Sequence, residues 1–208
     1  MTSAAIEMQL GQFLLLVSLA QVAAEGWTPA GTTRGVDLAF RDDATLNVRE
    51  ARATTELSFP ADRIFRLVCD FAHYGSLVSG VRETRMLSGT APSDYEIYMR
   101  YAPRFLVVAA RDVVVRVQGQ SSPNGSSSCH WNDVKEREPE RKGTVRMPIL
   151  RGSWTIESLD ATRSRIVYQV AVDPGGRLPG WLVRRGAVSA LPDVIEQVRR
   201  RLSEPNGR

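Results

Sequence analysis

Three consecutive pieces decide the fold of this 208-residue chain: Ser164-Arg165-Ile166-Val167-Tyr168-Gln169-Val170-Ala171-Val172, then Asp173-Pro174-Gly175-Gly176, then the stretch from Pro179 to Leu202. The first reads as a strand with Ile166, Tyr168, Val170 and Val172 on one face. The second is a tight turn, because Pro174 presets φ for the second position of a β-turn and Gly175 accepts the positive φ that a type II turn requires at the third. The third is amphipathic. Counted at 100° per residue, Val183, Ala187, Ala190, Leu191, Val194, Val198 and Leu202 fall within an arc of about 120°, the width of a core-facing helical stripe, with Arg185, Arg199 and Arg200 opposite. Pro192 interrupts the pattern, since proline removes an intrahelical hydrogen bond and crowds the preceding turn. A kink near Ala190, or two shorter helices, is expected. A strand handing directly to a long closing helix suggests a lidded cavity.

Upstream, Arg34 to Arg41 and Val48 to Phe59 read as strands. Pro60 opens a helix: proline suits the first helical position, Asp62 suits the positive end of the dipole, and Ile64, Leu67, Val68 and Phe71 recur at helical spacing. The helix is predicted to run to Tyr74-Gly75. Val81 to Leu87 and Tyr95 to Tyr101 are the next strands, the second alternating Tyr95, Ile97, Met99 and Tyr101 with Glu96, Tyr98 and Arg100, the mark of a sheet with two unlike faces. Phe105 to Ala110 is an apolar run, Asp112 to Gln118 a strand, and Gln120 to Ser128 a loop by composition. The charged run Lys135 to Gly143 precedes a strand predicted over Thr144 to Leu159. Strands, a helix, many strands and a closing helix make an α+β arrangement, an antiparallel sheet with helices on one side.

With 43% hydrophobic and 24% charged residues, the chain is long enough and apolar enough for one domain with a sizeable core. The net charge of +4 is spread along the chain and almost entirely arginine, which permits attraction to an anionic surface and gives no basic run that would suggest nucleic acid. The apolar run Phe13 to Ala20, followed by Val22-Ala23-Ala24, reads as a secretory signal over residues 1–24, leaving a domain of 25–208 exported to a periplasmic or extracellular space. Glu7 and the lack of a preceding Lys or Arg depart from the usual leader, and initiation at Met8 would remove Glu7. The alternative is an uncleaved N-terminal helix that packs on the domain or holds it at a membrane, although the run is shorter than the ~20 apolar residues of a span. Cys69 and Cys129 have no metal-ligand spacing. A disulfide is open to them in an oxidising compartment, but Cys69 falls on the apolar side of a helix, and two unpaired, buried cysteines are expected.

Several chemistries find no support. Neither a G-x-G-x-x-G after a strand nor a P-loop occurs, and no zinc motif is present, so no cofactor or metal is expected. His73 and His130 are the only histidines. Cys129 and His130, adjacent in a strand, point to opposite faces and cannot act as a pair.

Arg111-Asp112-Val113-Val114-Val115-Arg116, Gly152 to Leu159, and Tyr168 to Pro179 together resemble the START domain, the steroidogenic-acute-regulatory-protein-related lipid-transfer module of the helix-grip, Bet v 1-like superfamily. The resemblance runs from about Trp27 to Leu202. It implies a curved antiparallel sheet wrapped around the long C-terminal helix, enclosing a tunnel for one lipid, with no enzymatic activity and a monomer that touches membranes transiently. It also implies a gate at the tunnel mouth, here the loop from Lys135 to Pro148, where a charged, Pro- and Gly-containing segment concentrates mobility.

Tyr168 falls where lipid-binding members have a tyrosine facing the tunnel, and strand periodicity puts Ile166 and Val170 beside it. Trp154, from the second motif, is a further lining candidate. Sterol-binding members can carry a buried acid and arginine at the polar end of the cavity, which here points to Glu96 or Arg100 with Arg116, next to Tyr98. From the helix, Val183, Ala187, Leu191 and Val194 would close the tunnel. Two other readings stand beside lipid binding. One is a cyclase or aromatase of the same superfamily, for which only Tyr168, Glu96, His73 and arginines are available as acid or base groups, without a recognisable constellation. The other is an interaction protein whose cavity is filled by side chains.

Overall fold

The structure, a computed structural model, describes residues 26–45, 47–102, 109–122, 125–178 and 188–204. The expected leader, most of the apolar run from Phe105, and Val183 and Ala187 lie outside the described residues.

The described residues form one large sheet and two helices. The strands are β1 (Thr28–Thr33), β2 (Val36–Asp43), β3 (Val48–Leu57), β4 (Val81–Thr90), β5 (Asp94–Tyr101), β6 (Ala110–Gln120), β7 (Ser126–Asp133), β8 (Thr144–Arg146), β9 (Ile149–Ser158) and β10 (Ser164–Asp173). They lie in the order β1-β2-β3-β10-β9-β7-β6-β5-β4, every neighbour antiparallel, with the short β8 paired parallel to the start of β6. Helix α1 (Ala61–Val68), a 3-10 turn over Phe71–Ser76, and the closing helix α2 (Leu191–Ser203) cover the inner face. This is the α+β helix-grip architecture that the opening motif implied.

Local differences from the sequence reading have local causes. Thr28–Thr33 is exposed along its whole length, so no apolar alternation announced β1. The first helix stops at Val68, with Cys69 as its C-cap, and the chain continues as the 3-10 turn. The Tyr95 hydroxyl fixes this break, donating to the Cys69 carbonyl at 2.5 Å and accepting the Phe71 N–H at 3.2 Å. The strand predicted over Thr144 to Leu159 is divided into β8 and β9 at Met147-Pro148, where proline has no N–H to give a ladder. Pro192 stands in the first turn of α2, where its missing N–H is an orphan in any case, and a turn at Ala190 separates α2 from helical residues 188–189. The break expected near Ala190 is therefore present, and it starts a helix.

The cysteines correct the sequence reading. Cys69 and Cys129 form a disulfide with their Cα atoms 5.8 Å apart. The C-cap of α1 turns Cys69 toward β7, whose inward positions include Cys129, and both are fully buried. Gly119 lies opposite Cys129 in the β6–β7 register, and a Cβ there would sit 2.9 Å from the Cys69 sulfur, so the bridge depends on that glycine. The two cysteines are 60 residues apart in sequence, and only the tertiary fold brings them together. A cross-link of this kind stabilises a domain by roughly 2–4 kcal/mol. It ties α1 to the sheet that α1 covers.

Inward side chains of the sheet form the core with Ile64, Phe65 and Val68 of α1 and Leu191, Ile195 and Val198 of α2. Arg199, on the polar side of α2, holds the helix across the β2–β3 end, donating to the Arg34 carbonyl at 2.9 Å and to the Thr55 hydroxyl at 3.1 Å. Arg34 returns an ion pair to Asp193 at 2.6 Å.

Candidate ligand cavity

Between the inner face of the sheet and the start of α2 lies a cavity of about 390 Å³. Its walls come from three directions. The sheet gives Met99, Tyr101, Trp131, Leu150, Tyr168 and Val170; the 3-10 turn gives Phe71 and Tyr74; the lid gives Leu191 and Val194. Among the described lining residues there is no carboxylate, histidine, cysteine or side-chain amide; the titratable ones are Tyr74, Tyr101, Tyr168 and Arg111.

Aromatic stacking builds the floor. Trp154 and Tyr168 face each other across the β9–β10 register with ring centroids 4.1 Å apart, Phe71 and Tyr74 stack at 4.1 Å, and Trp131 lies 5.3 Å from Phe71 and 6.1 Å from Tyr168. Such pairs add about 0.5–1.5 kcal/mol each beyond the area they bury. Gly152 makes room for Trp131: a Cβ at this position would lie 2.4 Å from the indole ring. The polar edges of the cluster meet, the Trp154 indole N–H donating to the Tyr74 hydroxyl at 3.3 Å. Burial pushes the Tyr74 phenol up to about 12 despite the hydrogen bonds from Trp154 and Tyr168, and burial followed by the neighbouring Tyr74 and Tyr101 holds the Tyr168 phenol well above its ordinary value. At neutral pH these groups are uncharged and cannot serve as bases.

At the mouth, Arg111 fastens the turn. Its guanidinium donates from Nε to the Pro174 carbonyl and from Nη2 to the Gly175 carbonyl, both at 3.3 Å. Gly175 takes a positive φ of 65°, as the turn chemistry required, Gly176 follows at 73°, and Asp173 accepts the Gly175 N–H at 2.9 Å. Val145 and Pro148 pack against Gly175, while Met147 reaches the cavity wall. The 135–148 segment thus has two parts. Residues 145–148 meet the turn that leads to the lid, and the charged part folds over the outer face of β4 and β5, where Arg141 pairs with Glu83 at 2.7 Å and Arg137 with Glu96 at 2.6 Å.

Of the site residues expected from sequence, Tyr168, Val170, Leu191 and Val194 line the cavity. Trp154 stands behind Tyr168, and Ile166 is buried on the same face without reaching the opening. The expectation for Tyr98, Arg100 and Arg116 is corrected. On β5 the inward residues are Tyr95, Ile97, Met99 and Tyr101, so Tyr98 and Arg100 point outward, and Arg116 opposite Glu96 does the same. Arg100 pairs with Glu83 at 3.2 Å and Arg116 with Asp94 at 2.5 Å.

A buried acid and arginine do exist, on the outer face. Asp112, 1% exposed, accepts Arg146 Nε at 2.8 Å and the Tyr98 hydroxyl at 3.1 Å, and Arg146 continues to the Glu138 and Pro139 carbonyls. The Arg111-Asp112 motif therefore splits by strand periodicity: arginine at the cavity mouth, aspartate clamping the charged loop outside. Arg111, Tyr101 and Tyr74 are site residues that sequence reasoning missed. The alternation Tyr95, Ile97, Met99, Tyr101 carried the signal for Tyr101.

Residues 57–199 match the family model described as polyketide cyclase / dehydrase and lipid transport. Over 92 residues the chain is 32% identical to an uncharacterized protein of Pseudomonas aeruginosa, 44% of this chain and 46% of that one. It is 26% identical over 179 residues to human START domain-containing protein 10, 83% of this chain and 60% of that one. The matches thus span about half the length of these curated relatives. The solved STAR-related lipid transfer protein of Xanthomonas axonopodis superposes with a TM-score of 0.75 at 25% identity, covering 86% of this chain and 99% of that one. An aromatase/cyclase from Streptomyces shares the fold alone, with a TM-score of 0.53 at 15% identity over 77% of this chain and 99% of that one. The match over residues 57–199, on a sheet that encloses a cavity beneath a C-terminal helix, shows that the chain belongs to the polyketide cyclase / dehydrase and lipid transport family, in the START-domain form of the helix-grip fold.

Proposed function

We propose that the protein binds a single hydrophobic, lipid-like molecule in the cavity beneath α2 and releases it at a membrane surface. The observation that carries this is the cavity itself: about 390 Å³, walled by aliphatic and aromatic side chains, with every tyrosine on its wall held neutral. Burial of apolar ligand surface, at about 25 cal/mol per Å², supplies the driving force. A described lining without carboxylate or histidine favours binding over turnover. The lipid-transfer relatives support the same reading.

The movable walls in this proposal are the start of α2 and residues 145–148, the second of which packs on the Asp173-Pro174-Gly175-Gly176 turn. The Cys69–Cys129 disulfide supports export through the N-terminal leader, because such bonds persist in oxidising compartments. Native mass spectrometry of gently purified protein tests the function. A bound hydrophobic mass is expected, and a Val170→Trp variant that fills the cavity should lack it while keeping its fold. Absence of any bound mass, with no binding of fluorescent fatty acids by folded protein, would overturn the proposal.

A further inference from the structure

Arg111 is the one charged side chain among the described residues that line the cavity. Its hydrogen bonds run to the backbone carbonyls of Ala109, Pro174 and Gly175, and among the described residues it forms no ion pair. Carbonyl oxygens of described residues occupy three of its five N–H groups. They do not neutralise the charge. Among the described residues no carboxylate pairs with this part-buried cation, so an anion that reached the mouth would find it without a counter-charge.

Tyr101 stands directly across from Arg111 in the β5–β6 register, and both face inward. Opposed residues on neighbouring antiparallel strands have Cβ atoms about 4.5–5.5 Å apart, so the phenol and the guanidinium share one patch of wall. The Tyr101 hydroxyl forms no hydrogen bond with another described residue. Burial, followed by the nearby Tyr74, holds this phenol protonated well above neutrality, so it is available as a donor. Met147 and Leu150 continue the wall with apolar surface, and the aromatic floor lies further in. The mouth thus offers a cation and a neutral donor, while the described lining offers no acidic acceptor.

We infer that Arg111 and Tyr101 form a headgroup clamp, and that the ligand is an amphiphile with a carboxylate or phosphate monoester head at the mouth and its apolar chain over the aromatic floor. Anionic oxygens accept from both residues and supply the missing counter-charge, and charge-assisted bonds of this kind are about twice as strong as neutral ones. The inference rests on the cavity being a ligand site and adds which ligands it selects.

Displacement of a bound fluorescent fatty acid by three molecules with one common chain, oleate, oleyl phosphate and oleyl alcohol, tests it at neutral pH. At least one anion is expected to bind tenfold or more tightly than the alcohol, and the stronger of the two identifies the head. Because Arg111 also secures the turn, the readout is the anion-to-alcohol ratio and not absolute affinity. Arg111→Gln should bring that ratio close to one. Tyr101→Phe, which removes no bond to the turn, should lower it several-fold with the melting temperature unchanged. Equal binding of all three by the native protein overturns the clamp and leaves the cavity reading standing. Failure of every probe to bind overturns both.

Discussion

Strands β5 and β6 carry two chemistries on their two faces. Inward, Ile97, Met99, Val113 and Val115 are fully buried, and Tyr101 with Arg111 borders the cavity. Outward, Arg100 pairs with Glu83 of β4, Glu96 and Asp112 pair with Arg137 and Arg146 of the 135–148 segment, Tyr98 bonds Asp112, and Arg116 pairs with Asp94 at the start of β5. The same twenty or so residues, read at period two, therefore serve cavity and cover at once. The inner face gains from dryness, where each aromatic ring removes large apolar area from water. The outer face gains little per pair, since exposed ion pairs are worth about 0–1 kcal/mol each, and its role is to hold the loop that ends at the mouth.

The largest test of this contrast is alkaline unfolding. All five tyrosines have phenols raised above their ordinary value, with burial the first cause in each. A group whose folded pKa is raised keeps its stabilising contribution below the unfolded pKa, near 10, and loses it as pH rises through the folded value. Stability should hold up to about pH 10 and collapse toward the value of about 12 that Tyr74 reaches. Tyrosinate absorbance followed beside far-ultraviolet circular dichroism should rise in one step with loss of the fold. An early tyrosinate step larger than the single outward-facing Tyr98 accounts for, with secondary structure intact, would show that the inner face is wet.

Trp154→Ala comes next. Removing a fully buried indole stacked on Tyr168 leaves a large void and takes away one of the donors to the Tyr74 hydroxyl. A loss of about 3–5 kcal/mol is expected in urea denaturation. A loss below about 1 kcal/mol would mean that the floor collapses freely.

Asp112→Ala follows on the outer face, at about 3 kcal/mol, because it leaves the largely buried Arg146 without its carboxylate. The same variant should loosen the 135–148 segment, read as faster hydrogen exchange there than in β10. Protection unchanged in that segment would separate the clamp from the loop.

The smallest effect belongs to Arg141→Ala. Its pair with Glu83 is half exposed and screened by solvent, so the shift of the urea midpoint should be barely measurable and should shrink further in 1 M salt. A larger, salt-resistant loss would erase the distinction between the faces.

How much of this was legible beforehand differs by region. The 164–176 strand and turn were readable because periodicity and the Pro174-Gly175 pair act through neighbours in sequence, and Tyr168 and Val170 reach the cavity as their alternation implied. Tyr98, Arg100 and Arg116 were misplaced because the resemblance asked for an acid and an arginine inside the cavity, whereas alternation along β5 had already set Tyr98 and Arg100 opposite Ile97 and Met99, and Arg116 pairs with Glu96 on that same outer face. The acid–arginine pair sought inside the cavity is built outside it from Asp112 and Arg146, 34 residues apart.

Local chemistry, then, determined the elements of this chain: an alternating strand, a glycine turn, a proline-started helix, and an α+β order that the family match bears out. Tertiary structure alone decided which side chains share a space. It joined Cys69 to Cys129, set Tyr101 against Arg111, and turned Asp112 away from its neighbour Arg111. The reason is physical: hydrogen-bonding and torsional preferences act over a few residues, whereas a cavity is made by strands whose pairing depends on burying the whole inner face together.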